Sequence, residues 1–88
     1  MKYKVEYTQQ AIKQLRKLDK HTISLIYGWI SKNLVGCENP HLHGKALTAN
    51  HSGKWRYRIG DYRIIADIQD DKVTILVLNI GHRREIYK

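Results

Sequence analysis

This 88-residue chain has a single cysteine, a single proline and only 8 acidic residues. One cysteine, Cys37, excludes an internal disulfide framework and fits a reducing, cytoplasmic setting. No apolar run approaches the length of a membrane span, and Met1-Lys2-Tyr3-Lys4-Val5-Glu6 holds no signal-peptide core, so a membrane partner is not expected. There is no internal repeat, low-complexity tract or linker, and the length suits one domain, 1–88, with one modest core and little room for a bulky buried cofactor. Against the scarcity of acid stand 16 Lys or Arg, a formal net charge of +8. That imbalance attracts polyanions, with nucleic acid or an acidic protein as the soluble candidates.

Sequence periodicity gives the elements. Tyr3, Val5 and Tyr7 alternate with Lys2, Lys4 and Glu6, which predicts a half-buried strand over 2–7. Thr8 follows as a helix N-cap, then Ala11, Ile12, Leu15 and Leu18 at helical spacing, with Lys13, Arg16, Lys17 and Lys20 turned outward as one basic face. Asp19 to Thr22 reads as a polar joint. Ile23, Ile26, Ile30 and Leu34 mark a second amphipathic helix, its apolar side widened by Leu25, Tyr27 and Trp29 and its end set by Gly36 and Pro40. The connection from Gly36 to Gly53 is mostly polar, with Leu42, Ala46 and Leu47 as its core anchors. Trp55 to Ile59 and Tyr62 to Ile68 flank Gly60-Asp61, a two-residue hairpin signal, and Val73 to Ile80, apolar on both faces, predicts a central strand. The predicted order is β-α-α-β-β-β, an α+β chain.

The hairpin carries the chemistry. With Gly60-Asp61 as the turn, Arg58 lies opposite Arg63 and Arg56 one pair further on, while Trp55, Tyr57, Ile59, Tyr62, Ile64 and Ala66 take the other face. Like charges placed opposite one another destabilise a strand pair, so the cluster calls for an anionic ligand. Guanidinium forks match phosphate oxygens and stay charged at any relevant pH. Lys45 and Lys54 enlarge the patch. The tail Gly81-His82-Arg83-Arg84-Glu85-Ile86-Tyr87 adds further candidates: Arg83, on the parity of Val77 and Asn79; Arg84; Tyr87, whose ring can stack on a base or whose phenol can move a proton; and His82, with a reference pKa near neutrality.

Other patterns fall short of a motif. Cys37, His41, His43 and His51 match no zinc spacing, Gly44-Lys45 lacks the rest of a P-loop, and Ser52 and Cys37 have no ordered acid–base partner. No metal or other cofactor is expected.

Leu15-Arg16-Lys17-Leu18-Asp19, His43-Gly44-Lys45-Ala46-Leu47, the run from Gly53 to Ile65 and the tail from Gly81 to Tyr87 together resemble the RelE family of bacterial toxins, within the RelE/ParE superfamily. The resemblance spans essentially the whole chain. It implies a small twisted, mostly antiparallel sheet with two N-terminal helices packed on one face. It also implies a toxin that enters the ribosomal A site, cuts messenger RNA there, and is held inactive by a cognate acidic antitoxin, with operator DNA bound only through the complex. On that resemblance Arg56, Arg58 and Arg63 bind and stabilise the reacting phosphate, Tyr87 is the leading candidate for the base, Arg83 serves the leaving group, and His82, where the best-known member has a lysine, is a rival acid or base. Lys45, Lys54 and Arg84 are read as substrate-binding. Two other functions fit the same composition: a ParE-like gyrase poison on this fold, and a non-catalytic basic module that binds antitoxin or nucleic acid.

Overall fold

Thr8 shows how the chain makes its first reversal. In the computed structural model, which describes residues 1–47 and 53–84, Thr8 is extended (ψ 162°) and its Oγ1 accepts a hydrogen bond from the Ala11 amide at 3.1 Å. Strand β1, Lys4–Tyr7, thereby passes directly into helix α1, Gln9–Arg16. The joint to helix α2, Lys20–Asn33, is shorter than the sequence pattern predicts. Asp19 is itself the N-cap, accepting from the Thr22 amide at 3.2 Å, so Lys20 to Thr22 already belong to the helix. The hydrogen bonds from Thr22 hold the Asp19 carboxyl below its ordinary pKa.

One stripe of α2 is buried: Ile26, Ile30 and Leu34, each four residues apart. The predicted widening of the apolar side extends only to Trp29, which packs on the core; Leu25 and Tyr27 are 54% and 55% exposed, being off the stripe. Gly28 sits on the open side, and a Cβ there meets nothing within 4 Å. Gly28→Ala is therefore expected to stabilise the protein by about 0.5–1 kcal/mol, read as a higher urea midpoint at unchanged slope.

The remaining strands are β2, Lys45–Ala46; β3, Trp55–Ile59; β4, Tyr62–Gln69; and β5, Thr74–His82. They form a 5-stranded sheet in the order β1-β5-β4-β3-β2, parallel only between β1 and β5. Strand β2 was not legible in the sequence, being two residues long and exposed. Strand β5 starts one residue later than predicted, because Val73 takes a left-handed conformation (φ 50°) at the turn from β4.

Tyr57, Ile64, Ala66, Ile75, Val77 and Ile80 from the sheet pack with Ala11, Ile26, Ile30 and Leu34 from the helices in one core. This is the predicted α+β arrangement, with the two helices sharing a single core with the sheet. The predicted anchors of the long connection are corrected. Leu42 is 77% exposed and Ala46 is exposed, whereas Pro40 is buried and its carbonyl accepts a hydrogen bond from Tyr57 Oη at 2.7 Å. A polar, deeply placed tyrosine thus fixes the loop at a point where its backbone acceptor is satisfied.

Candidate functional site

Alternation along β3 and β4 leaves a second sheet face, turned away from the core. Arg58 pairs with Arg63, and Arg63 in turn pairs with Gly81 of β5. Two residues along the strands, Lys45 pairs with Arg56 and Arg56 with Ile65. Since directly paired side chains share a face, Lys45, Arg56, Arg58 and Arg63 form one cationic patch spread over three strands; the hairpin register predicted the three arginines, and Lys45, expected from the loop, joins them through β2. Cross-strand neighbours in such a ladder lie about 4.5–5.5 Å apart at Cβ, close enough for one phosphate to meet more than one guanidinium.

The arginines are not equivalent. Arg63 is 7% exposed, and its Nη1 donates to the carbonyls of Gly60 (3.2 Å) and Tyr62 (3.3 Å), which folds the guanidinium back over the hairpin turn. Arg58 is exposed. Arg56 is half-buried, and its Nε, shielded from solvent, has no hydrogen-bond partner among the described residues. A buried donor left without an acceptor is costly unless a ligand supplies one. Between these side chains lies Ile65, 1% exposed on the arginine face, which gives the patch an apolar floor.

Arg83 reaches the same place by a route the sequence pattern misjudged. Strand β4 shifts register against β5 between Ile65 and Ala66: Ile65 pairs with Asn79 but Ala66 with Val77, so Leu78 is the extra residue of a bulge. The parity counted from Val77 therefore does not hold past Leu78. Arg83 follows Gly81, the partner of Arg63, and its amide donates to the carbonyl of Asp61 at 2.8 Å. The Arg83 backbone is thus tied to the same hairpin turn over which the Arg63 guanidinium folds.

His82 is placed elsewhere. It pairs with Tyr62, its ring meets the Tyr62 ring edge-on at 5.5 Å, and that pair belongs to the core-facing row. Its Nδ1 accepts from the Arg84 amide at 3.2 Å, leaving only Nε2 to carry the proton of the neutral ring. The structure does not bring His82 into the arginine group. Lys54 makes an ion pair with Asp67 at 3.8 Å, so part of its charge is already met within the sheet. Arg84 is exposed in the turn after β5. Tyr87 lies outside the described residues, as do His51 and Ser52.

Two histidines of the connection pack on tryptophans: His41 edge-on to Trp55 at 4.6 Å and His43 edge-on to Trp29 at 5.7 Å. Among the described residues no group of three His, Cys, Asp or Glu side chains comes together. Burial pushes the Cys37 thiol up, away from nucleophilic character.

Two further features of the site were not anticipated. Gly44 (φ 76°) lies so close to β3 that a Cβ there would stand 2.1 Å from the Arg56 carbonyl oxygen, and this close approach is what seats Lys45 opposite Arg56. Helix α1 takes over the edge of β5 where β1 ends: Gln14 Oε1 accepts from the Ile80 amide at 2.7 Å, and Gln10 Nε2 donates to Asn79 Oδ1 at 2.6 Å. Two glutamines four residues apart, beyond an edge strand, were the available signal.

The family description "ParE toxin of type II toxin-antitoxin system, parDE" matches residues 5–87. Toxin RelG of Mycobacterium tuberculosis is 30% identical over 88 residues, covering 100% of this chain and 99% of RelG. Toxin RelE of the same organism is 28% identical over 86 residues, covering 98% of this chain and 87% of that protein. Among solved structures, a chain of the toxin–antitoxin complex RelBE2 from Mycobacterium tuberculosis superimposes with a TM-score of 0.85 at 27% identity, covering 97% of this chain and 95% of that one.

Proposed function

The chain belongs to the RelE/ParE family, toxins of type II toxin–antitoxin systems, and from that premise we propose that it is a ribosome-dependent endoribonuclease that cuts messenger RNA in the A site. The observation that carries the reading is the Arg58–Arg63 pair, extended by Arg56 and Lys45 on one face and joined at the turn by Arg83. Nothing in strand pairing favours such a cluster, and a scissile phosphate accounts for it.

RNA brings its own nucleophile. An aligned 2′-OH attacks the adjacent phosphorus, the bond to the 5′-oxygen breaks, and the products are a 2′,3′-cyclic phosphate and a 5′-OH. In this reading Arg56, Arg58 and Arg63 hold the phosphate oxygens and stabilise the added negative charge, which in a partly desolvated site is the largest single contribution. Arg63, anchored to backbone carbonyls, needs no reorganisation as the charge develops. Arg83 serves the leaving oxygen. Tyr87 remains the candidate base from the sequence resemblance, and a positioned base contributes about a hundred- to ten-thousand-fold. His82, on the other face, is set aside as a group acting at the phosphate. Lys45, Lys54 and Arg84 carry the flanking backbone. Arginine charge can do here what a metal ion does in other nucleases.

The protein is read as working in the cytoplasm; among the described residues no helix is long and apolar enough to cross a membrane. The complexes among its structural relatives support a cognate antitoxin, whose binding segment would be acidic and amphipathic and would order on binding. Operator DNA would be met only through that complex.

The test is purified protein added to programmed ribosomes, with the message ends mapped. Cleavage within the A-site codon, leaving a 5′-OH, is expected, and Tyr87→Phe should slow it while sparing ribosome binding. The matched family description names ParE, so the gyrase reading is the specific competitor. Intact message together with accumulated gyrase–DNA complexes would overturn the nuclease assignment.

A further inference from the structure

Strand β5 reaches the arginine site by way of its bulge. Continuing the pairing of Ala66 with Val77 unbroken would set Ile80 opposite Arg63. The extra residue, Leu78, sets Gly81 there instead, and so brings the Arg83 amide to the Asp61 carbonyl. A slip of one residue turns every later side chain to the other face. The bulge therefore decides which tail residues belong to the site.

Successive carbonyls of a regular strand point to opposite edges. Those of Val77 and Leu78 both turn to Thr8: the first accepts from its amide at 3.0 Å, the second from its hydroxyl at 3.1 Å. The β1 ladder stops at Tyr7 and Val77, so the hydroxyl stands where a further strand residue would. The same oxygen accepts from the Ala11 amide. One hydroxyl thus starts α1 and ties down the extra residue of β5. Beyond it, Gln14 Oε1 takes the Ile80 amide at 2.7 Å, and Gln10 and Gln14 both donate to Asn79 Oδ1. From Val77 to Ile80 the edge of β5 is held by a cap and two helical side chains in place of a strand.

We propose that Thr8, supported by Gln14, is a positioning residue for message cleavage: it fixes the β5 bulge and through it the place of Arg83, without touching RNA. The proposal rests on the nuclease reading and on the role given there to Arg83. Without the hydroxyl donor the Leu78 carbonyl loses its partner and the bulge relaxes. Ile80, 2% exposed, still anchors β5 in the core, so what is lost is placement and not the strand. A displacement of about 1 Å at a reacting group costs about a hundredfold in rate. The charge on Arg83 is unchanged, so affinity for the ribosome should hold.

Thr8→Asp separates the two bonds of the hydroxyl. A carboxylate still accepts from the Ala11 amide as a good cap, but it cannot donate to the Leu78 carbonyl. Thr8→Ser keeps both bonds. Thr74→Val removes a bond of the same kind, from Thr74 Oγ1 to the Lys72 carbonyl at 2.9 Å, at the far end of β5. In the free protein, hydrogen exchange of the Arg83 amide should speed up about five- to tenfold in Thr8→Asp, with the Ala11 amide unchanged. On programmed ribosomes the single-turnover cleavage rate at saturation should fall about ten- to a hundredfold, at an unchanged half-saturation concentration. Thr8→Ser and Thr74→Val should both cut at the wild-type rate. Gln14→Leu, which loses the acceptor for Ile80, should repeat the Thr8→Asp pattern, and Gln14→Glu, which keeps it, should not. That second pair carries the test if Thr8→Asp does not fold.

Unchanged Arg83 exchange in Thr8→Asp overturns the proposal, as does a Thr8→Ser protein that cuts no better, or an equal loss of rate in Thr74→Val. A raised half-saturation concentration at an unaltered saturating rate also overturns it, because Thr8 would then act in RNA binding. Exchange is measured without RNA. A wild type that cuts nothing, with Arg83 loosened in Thr8→Asp, would therefore refute the nuclease reading and leave the clamp on the bulge in place.

Discussion

Arg58→Thr is expected to raise the unfolding temperature by about 2–6 °C while lowering message cleavage about a hundred- to a thousandfold. The two effects share one cause. Arg58 is exposed and pairs directly with Arg63, so its charge faces a like charge across the ladder. Opposed like charges on a strand pair cost about 0.2–1 kcal/mol, and threonine is a good strand residue, so the substitution relieves that cost. In the proposed reaction the same guanidinium would lie where negative charge grows on the phosphate, and loss of one such donor costs about 2.7–4 kcal/mol of transition-state stabilisation. Arg58→Lys should restore part of the cleavage, since it keeps the charge but loses the two-pronged fork. Thermal melts and single-turnover cleavage on programmed ribosomes measure both quantities. A less stable Arg58→Thr protein that still cuts at the wild-type rate would show that Arg58 is a structural residue and would remove the central support for the site.

Gly44→Ala is expected to lower the unfolding temperature by more than about 10 °C, corresponding to about 2–4 kcal/mol. The positive φ of 76° alone costs a non-glycine residue about 1–2 kcal/mol. The remainder comes from the close approach. The added Cβ would stand 2.1 Å from the Arg56 carbonyl oxygen and 3.0 Å from Trp55 Nε1, and the oxygen belongs to a strand held in the ladder with β4. The loop must lift instead. Doing so breaks the pairing of Lys45 with Arg56 and the 2.6 Å hydrogen bond from Trp55 Nε1 to the His43 carbonyl. Gly36 provides the control, because it has the same φ of 76° and a Cβ there meets nothing within 4 Å. Gly36→Ala should show the conformational cost without the clash. Hydrogen exchange at Leu47, whose amide donates to the Lys54 carbonyl at 2.9 Å, should accelerate in Gly44→Ala. Equal melting temperatures for the two variants would mean that the loop accommodates the methyl group and does not hold Lys45 in place.

Patterned segments were legible in the sequence. The alternation in 2–7, the stripe Ile26, Ile30 and Leu34, the cap at Thr8 and the Gly60-Asp61 turn each depend on residues close in the chain, and local geometry alone dictates their reading. The Arg58–Arg63 pairing belongs with them, because a two-residue turn fixes the register of the strands beside it. The same is true of the charge excess of +8 and of the tail that resembles the toxin family.

Tertiary structure decided what depends on contacts distant in sequence. The bulge at Leu78 reversed the parity beyond it, which is why the side carrying Arg83 could not be counted from Val77, and why His82 faces Tyr62 instead of the arginines. No periodicity announces a bulge, because one extra residue leaves the hydrophobic pattern on either side intact. Strand β2 is too short to have a period, and its pairing with β3, with Gly44 set close against that strand, defines it. The basic face of α1 was visible as a helical stripe, yet the place of α1 in the fold arises from Gln10 and Gln14 meeting an edge of β5 some 65 residues away in the chain. Sequence alone set which residues alternate and how much positive charge they carry; packing set which of those charges stand together.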